Sequence, residues 1–62
     1  MNLDLDKVLK KYDISLLEIH NGVKAELYGI GDGMFISSAR TTMEAIKQAL
    51  EDAGENPLEF SL

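Results

Sequence analysis

The first apolar residues fall at Leu5, Val8, Leu9 and Tyr12, the i, i+3, i+4, i+7 spacing of an amphipathic helix over residues 4–12. Asp4 and Asp6 stand where the helix dipole is positive and Lys7, Lys10 and Lys11 lie toward its negative end, so charge and apolar spacing agree. Asp13 closes this helix. From Ile14 the period shortens to two, and Asn21-Gly22 separates two runs rich in β-branched and large apolar residues, which is a hairpin signal. A two-residue Asn21-Gly22 loop would set Leu17 against Glu26. A three-residue loop, His20-Asn21-Gly22 with Gly22 left-handed, instead pairs Ile19 with Val23 and Leu17 with Ala25 on one face and Glu18 with Lys24 on the other. The second register satisfies both faces and is the expected one.

Glycines 29, 31 and 33 then divide a second strand (23–30) from a third (34–39), with Asp32-Gly33 suited to a two-residue turn that puts Met34, Ile36 and Ser38 on the face of Leu27. Thr41-Thr42-Met43-Glu44 is a capping box, in which the Thr41 hydroxyl accepts from the Glu44 backbone and the Glu44 carboxylate reaches back. The helix it opens carries the stripe Met43, Ile46, Ala49, Leu50 and Ala53; Gly54 suits a left-handed C-cap and Pro57 prevents resumption. Beyond it, 58–62 alternates strictly and predicts a short fourth strand or an extended tail on a sheet edge. The expected fold class is therefore α+β: a three-stranded antiparallel β-meander flanked by two α-helices, α-β-β-β-α, with the optional fourth strand at the C-terminus. Residues 1–62 are expected to form a single small domain, because a chain of 62 residues cannot divide its buried surface between two cores.

Composition narrows the functions. With no cysteine, neither disulfides nor a thiolate zinc site can brace so small a core, and self-association is a natural remedy. Eleven acidic against six basic residues give a net charge of −5. In residues 1–24 four acids balance four lysines, so the whole excess lies in 25–62. A net negative field repels a polyanion, which argues against nucleic acid as partner. The opening Met-Asn-Leu-Asp-Leu-Asp lacks the basic start and apolar run of an export signal, and no apolar run approaches the roughly 20 residues that span a bilayer, so cytoplasm is the expected location and membranes are not expected partners.

Candidate chemistry is sparse. His20 is the only imidazole and falls at a turn, with no second histidine or cysteine to complete a metal site. The glycine-rich stretch feeds a strand rather than a helix N-terminus and carries Asp32, which is wrong for a phosphate loop. Ser15, Ser37, Ser38 and Ser61 have no positioned base. No catalytic residue, cofactor site or metal site is assigned, and the chain is not expected to be an enzyme.

Ile36-Ser-Ser-Ala-Arg-Thr41 and the helix after it resemble the strand-to-helix segment of HicB-type antitoxins over that stretch alone. Arg40 stands where those have an acid and Ala39 where they have a glycine, so no function is carried over.

Two features point outward. The expected register places Ile14, Leu16, Tyr28, Ile30 and Phe35 on the second face of the sheet, with Glu18, Lys24, Glu26 and Ser37 around them. If both helices cover the first face, this apolar set is exposed and marks an interface; one helix on each face, or Leu58, Phe60 and Leu62 folded over it, would bury it. The second feature is the acidic surface of Glu51, Asp52, Glu55 and Glu59, since Glu51 and Asp52 sit at the helix end where the dipole disfavours anions. In size and charge the chain resembles small acidic phage inhibitors, a likeness of kind only. The expected function is a small acidic protein-binding module, an adaptor or inhibitor that occludes a partner, which also self-associates as a homodimer. The alternatives are a purely structural assembly subunit, or a single-stranded nucleic-acid binder stacking bases on Tyr28 and Phe35.

Overall fold

In the computed structural model, which describes residues 2–29, 31 and 33–62, a short helix α1 (Leu5–Leu9) leads into strands β1 (Tyr12–Ile19), β2 (Gly22–Gly29) and β3 (Met34–Ala39). Helix α2 (Thr42–Asp52) and a 3-10 helix (Pro57–Phe60) follow. The strands form one antiparallel sheet in the order β1-β2-β3, so the α+β meander expected from the sequence is the fold.

Asp4 opens α1 by accepting the Asp6 N–H on its carboxylate at 3.0 Å. The helix stops at Leu9, short of the expected 4–12, with Val8 buried and Leu9 exposed. Tyr12 is instead the first residue of β1: its ring is buried in the core and its hydroxyl is tied to the far end of the chain, and these contacts override a helical spacing too short to hold alone.

At the first hairpin Ile19 pairs with Gly22, Leu16 with Ala25 and Ile14 with Leu27, leaving only His20 and Asn21 in the loop. The expected three-residue loop is therefore corrected. Asn21, at φ 64°, takes the left-handed position. Gly22 lies within β2, where an added Cβ would stand 2.3 Å from the Ala39 carbonyl oxygen. The second hairpin is corrected too: Leu27 pairs with Phe35 and Tyr28 with Met34, and the Gly29 N–H donates to the Gly33 carbonyl at 2.8 Å. The expected Asp32-Gly33 turn involves Asp32, which lies outside the described residues, but Gly33 stands opposite Gly29 rather than in a two-residue turn. Each shift is odd in register, so β1 and β3 present the opposite side chains from those expected, while β2 keeps its faces.

α2 lies across β2 and β3. Thr41 caps it, accepting the Glu44 N–H at 3.2 Å, and the Glu44 carboxylate accepts from the Thr41 hydroxyl at 3.3 Å rather than from its backbone. At the other end Gly54, at φ 82°, completes a Schellman motif in which the Glu55 N–H reaches the Leu50 carbonyl and the Gly54 N–H the Glu51 carbonyl. Ala25, Ala45 and Ala49 are fully buried and bring helix and sheet together, and Leu27, Ile46, Leu50 and Val8 fill the space between. Met43, expected in the buried stripe, is exposed.

The C-terminal segment is not the optional fourth strand. Pro57–Phe60 forms the 3-10 helix, capped by the Asn56 side chain on the Leu58 N–H at 3.1 Å, and buries Pro57 and Phe60. Its strand character is limited to an isolated bridge between Leu3 and Ser61; around it Asp4 N–H donates to the Phe60 carbonyl, Leu62 N–H to that of Asn2, and Lys7 Nζ to that of Ser61 at 2.9 Å. These bonds fasten the two ends of the chain together.

Candidate protein-binding face

Strand alternation and the observed register sort the sheet into two faces. The helix side receives Tyr12, Ile14 and Leu16 from β1, Val23, Ala25 and Leu27 from β2, and Phe35, Ser37 and Ala39 from β3. Ile14, Phe35 and Ala39 pack on the core, and the Ser37 hydroxyl donates to the Gln48 Oε1 of α2 at 3.0 Å. Of the residues expected on the bare face, Ile14, Leu16 and Phe35 are thus on the helix side, with Glu18 and Ser37; Ile30 lies outside the described residues. Tyr28, Lys24 and Glu26 do lie on the bare face.

The residues that replace them there are Leu17 and Ile19 from β1 and Met34 and Ile36 from β3. Leu17 is 53% exposed, Met34 54%, Ile36 43% and Tyr28 39%. A bare apolar face exists, but with a membership the expected register hid. β1 has apolar residues at both parities, Ile14 and Leu16 against Leu17 and Ile19, so period alone cannot choose between them. Tyr12 and Phe35 decide it. Their rings meet edge to face on the helix side, centroids 6.4 Å apart at 85°, above the missing side chains of Gly29 and Gly33. A Cβ on Gly33 would come within 3.0 Å of the Phe35 ring and one on Gly29 within 3.4 Å of the Tyr12 ring. Glycines placed where two large aromatics must meet were the available signal.

Tyr28 is the aromatic residue of the bare face, and it is held. Its hydroxyl donates to Glu26 Oε1 at 2.6 Å, while Lys24 Nζ lies 3.5 Å from Glu26 Oε2. The bond from Tyr28, assisted by the nearby Lys24 charge, keeps the Glu26 carboxyl below its usual range; the same bond raises the Tyr28 hydroxyl above its own. Tyr28 and Phe35 lie on opposite faces, so they cannot form the base-stacking platform of the nucleic-acid alternative.

The acidic residues divide. Glu51, Asp52 and Glu59 are exposed. Glu55 is not part of a free acidic surface: its Oε2 accepts from the Tyr12 hydroxyl at 2.5 Å and from Lys11 Nζ at 2.7 Å, clasping the end of α2 to the start of β1. The Lys11 bond, then that of Tyr12, holds the Glu55 carboxyl below its usual range. Burial first, then the Glu55 bond and charge, pushes the Tyr12 hydroxyl up to about 12. Beside this clasp Lys11, Tyr12, Gly29, Gly33 and Phe35 line an open pocket of about 310 Å³. His20 is exposed at the hairpin tip. Among the described residues no three His, Cys, Asp or Glu side chains are grouped to hold a metal ion, and no helix is long and apolar enough to cross a membrane. Compared with known proteins, the chain matches no family, no curated protein and no solved structure.

Proposed function

We propose that this chain is a protein-binding module, an adaptor or inhibitor that covers a surface of its partner and acts without catalysis. The observation that supports it most is the bare face, where Leu17, Tyr28, Met34 and Ile36 are each at least 39% exposed on the side of the sheet opposite the helices. Tyr28 and Met34 are direct cross-strand partners with Ile36 next to them on β3, while Leu17 lies on the far side of the Lys24–Glu26 pair. Isolated exposed apolar residues are ordinary, whereas a grouped set such as Tyr28, Met34 and Ile36 marks a contact surface. Tyr28 serves as the anchor: its hydroxyl is already bonded to Glu26, so ordering the ring on binding costs little entropy. The net charge of −5 favours a partner with a basic margin and speeds its approach. The cytoplasm is the compartment this reading assumes.

The test is capture from an extract of the cells that make the protein, with the chain as bait and bound proteins identified by mass spectrometry. Tyr28→Asp and Met34→Asp should each lose the protein that the parent retains while keeping its circular dichroism spectrum. Substituting Lys at both Glu51 and Asp52 should weaken capture in a salt-dependent way. If both face variants, natively folded, hold the same protein as the parent, the bare face is not the binding surface.

A further inference from the structure

β1 is a free edge of the sheet, and the ladder shows which of its backbone groups are unused. The Gly29 N–H bonds across to Gly33, so the odd-numbered residues of β2 turn their N–H and C=O toward β3 and the even-numbered ones toward β1. Asp13, Ser15, Leu17 and Ile19, which face those even-numbered residues, are bonded to β2. Ile14, Leu16 and Glu18 therefore point their N–H and C=O groups outward. No proline, glycine or lysine blunts this strand. At its middle the side chains are also uncovered on both sides of the sheet: Leu16 is 47% exposed on the helix side, because α2 lies over β2 and β3, and Leu17 is 53% exposed on the bare side.

We propose that a second copy of this chain pairs with β1, edge to edge and antiparallel, about a twofold axis at Leu16. An axis normal to the sheet keeps each side chain on its own face, so residues can oppose only partners of the same parity. Centred on Leu16, the pairing matches all the outward groups of Ile14, Leu16 and Glu18 with those of the other strand. It joins the two exposed Leu16 side chains and sets Leu17 beside the partner's Ser15. No like charges meet, since Glu18 faces the partner's Ile14 and Asp13 faces the partner's Ile19. An axis at Ser15 would run the partner's hairpin tip against Leu9 of α1, and one at Leu17 would leave Ile14 facing a turn residue. The pairing strand carries only two of the eleven acidic residues, Asp13 and Glu18, and belongs to residues 1–24, where four lysines balance four acids, so two copies of a −5 chain meet through the part that holds none of the excess charge.

The product is one continuous sheet, with both helical layers on one side and both bare faces on the other. A 62-residue chain without cysteine gains the bracing its small core lacks, and the proposed binding floor doubles. The pairing does not depend on what the bare face binds.

Sedimentation equilibrium of the full chain from low to high micromolar concentration tests it. The parent should approach twice the 6.9 kDa chain mass. Leu16→Glu and Leu16→Lys should each weaken association about tenfold or more, because the axis sets like charges against each other. An equimolar mixture of the two should recover the dimer. Met34→Asp, on the bare face, should leave the mass unchanged. If a Leu16 variant fails to fold, hydrogen exchange of the parent decides instead: the amides of Ile14, Leu16 and Glu18 should exchange more slowly as concentration rises. A parent that stays monomeric, a dimer lost in Met34→Asp but kept in both Leu16 variants, or folded variants that do not pair when mixed would overturn the proposal.

Discussion

Gly22→Ala tests the hairpin register on which the composition of the bare face depends. An alanine Cβ at this position would lie 2.3 Å from the Ala39 carbonyl oxygen, 3.2 Å from its carbon and 3.5 Å from the Arg40 Cα. All three are backbone atoms, so no side chain can swing aside. Relieving the oxygen contact to an ordinary separation needs a shift of roughly 1 Å. That shift moves the residue that pairs with Val23 and, two positions on, the Thr41 cap of α2. Overpacking of this kind costs about 1–3 kcal/mol, and disturbing the last rung of the ladder adds to it, so we expect a loss of about 2–3 kcal/mol. A chain of this size has roughly 3–9 kcal/mol of stability, and each kcal/mol lowers Tm by about 4–8 °C, which gives a fall of roughly 8–24 °C. Thermal unfolding followed by circular dichroism measures it. Asn21→Gly is the control: at φ 64° glycine is free of strain, so Tm should hold or rise slightly. Gly22→Asn separates the two registers. If Gly22 were the left-handed residue of a three-residue loop, asparagine would be tolerated there; in this structure it should do as much harm as alanine. A Gly22→Asn protein melting within about 3 °C of the parent would refute both the register and the face assignment.

Two further outcomes follow from the packing and the clasp. Leu50 is fully buried, and Leu50→Ala should lose about 2–5 kcal/mol, a large share of the total, read as a lowered midpoint in a urea titration; a two-state curve shifted by less than about 1 kcal/mol would contradict the core described. The folded Glu55 carboxyl lies below its ordinary 4.5, so its contribution is complete above that value and disappears as pH falls through the folded pKa. Tyr12, raised from 10.0 to about 12, behaves oppositely, its contribution complete below pH 10 and lost as pH rises toward about 12. Glu55→Gln should flatten the acid limb of the stability profile and Tyr12→Phe the alkaline limb, and unchanged limbs would show that the clasp contributes nothing.

What could be read from the sequence was local. The Thr41 cap, the Gly54 terminus and the sign of every β2 residue were legible because their causes lie within a few residues: a hydroxyl three positions from an N–H, a glycine free to turn left-handed, a strict alternation from Val23 to Tyr28. The clasp was not, since Tyr12 and Glu55 are 43 residues apart and each has a local explanation, as the end of a helical stripe and as one acid in an acidic run.

The sequence by itself determined that this chain forms a meander flanked by two helices and that β1 and β3 carry apolar side chains at both parities, so whichever sheet face the helices leave open carries apolar residues. Which residues make that face was decided only in three dimensions. A one-residue slip in a hairpin exchanges the faces of a whole strand, and the slip was set by long-range contacts: the Tyr12 and Phe35 rings meeting over two glycines, and the Ala39 carbonyl lying where Gly22 has no side chain.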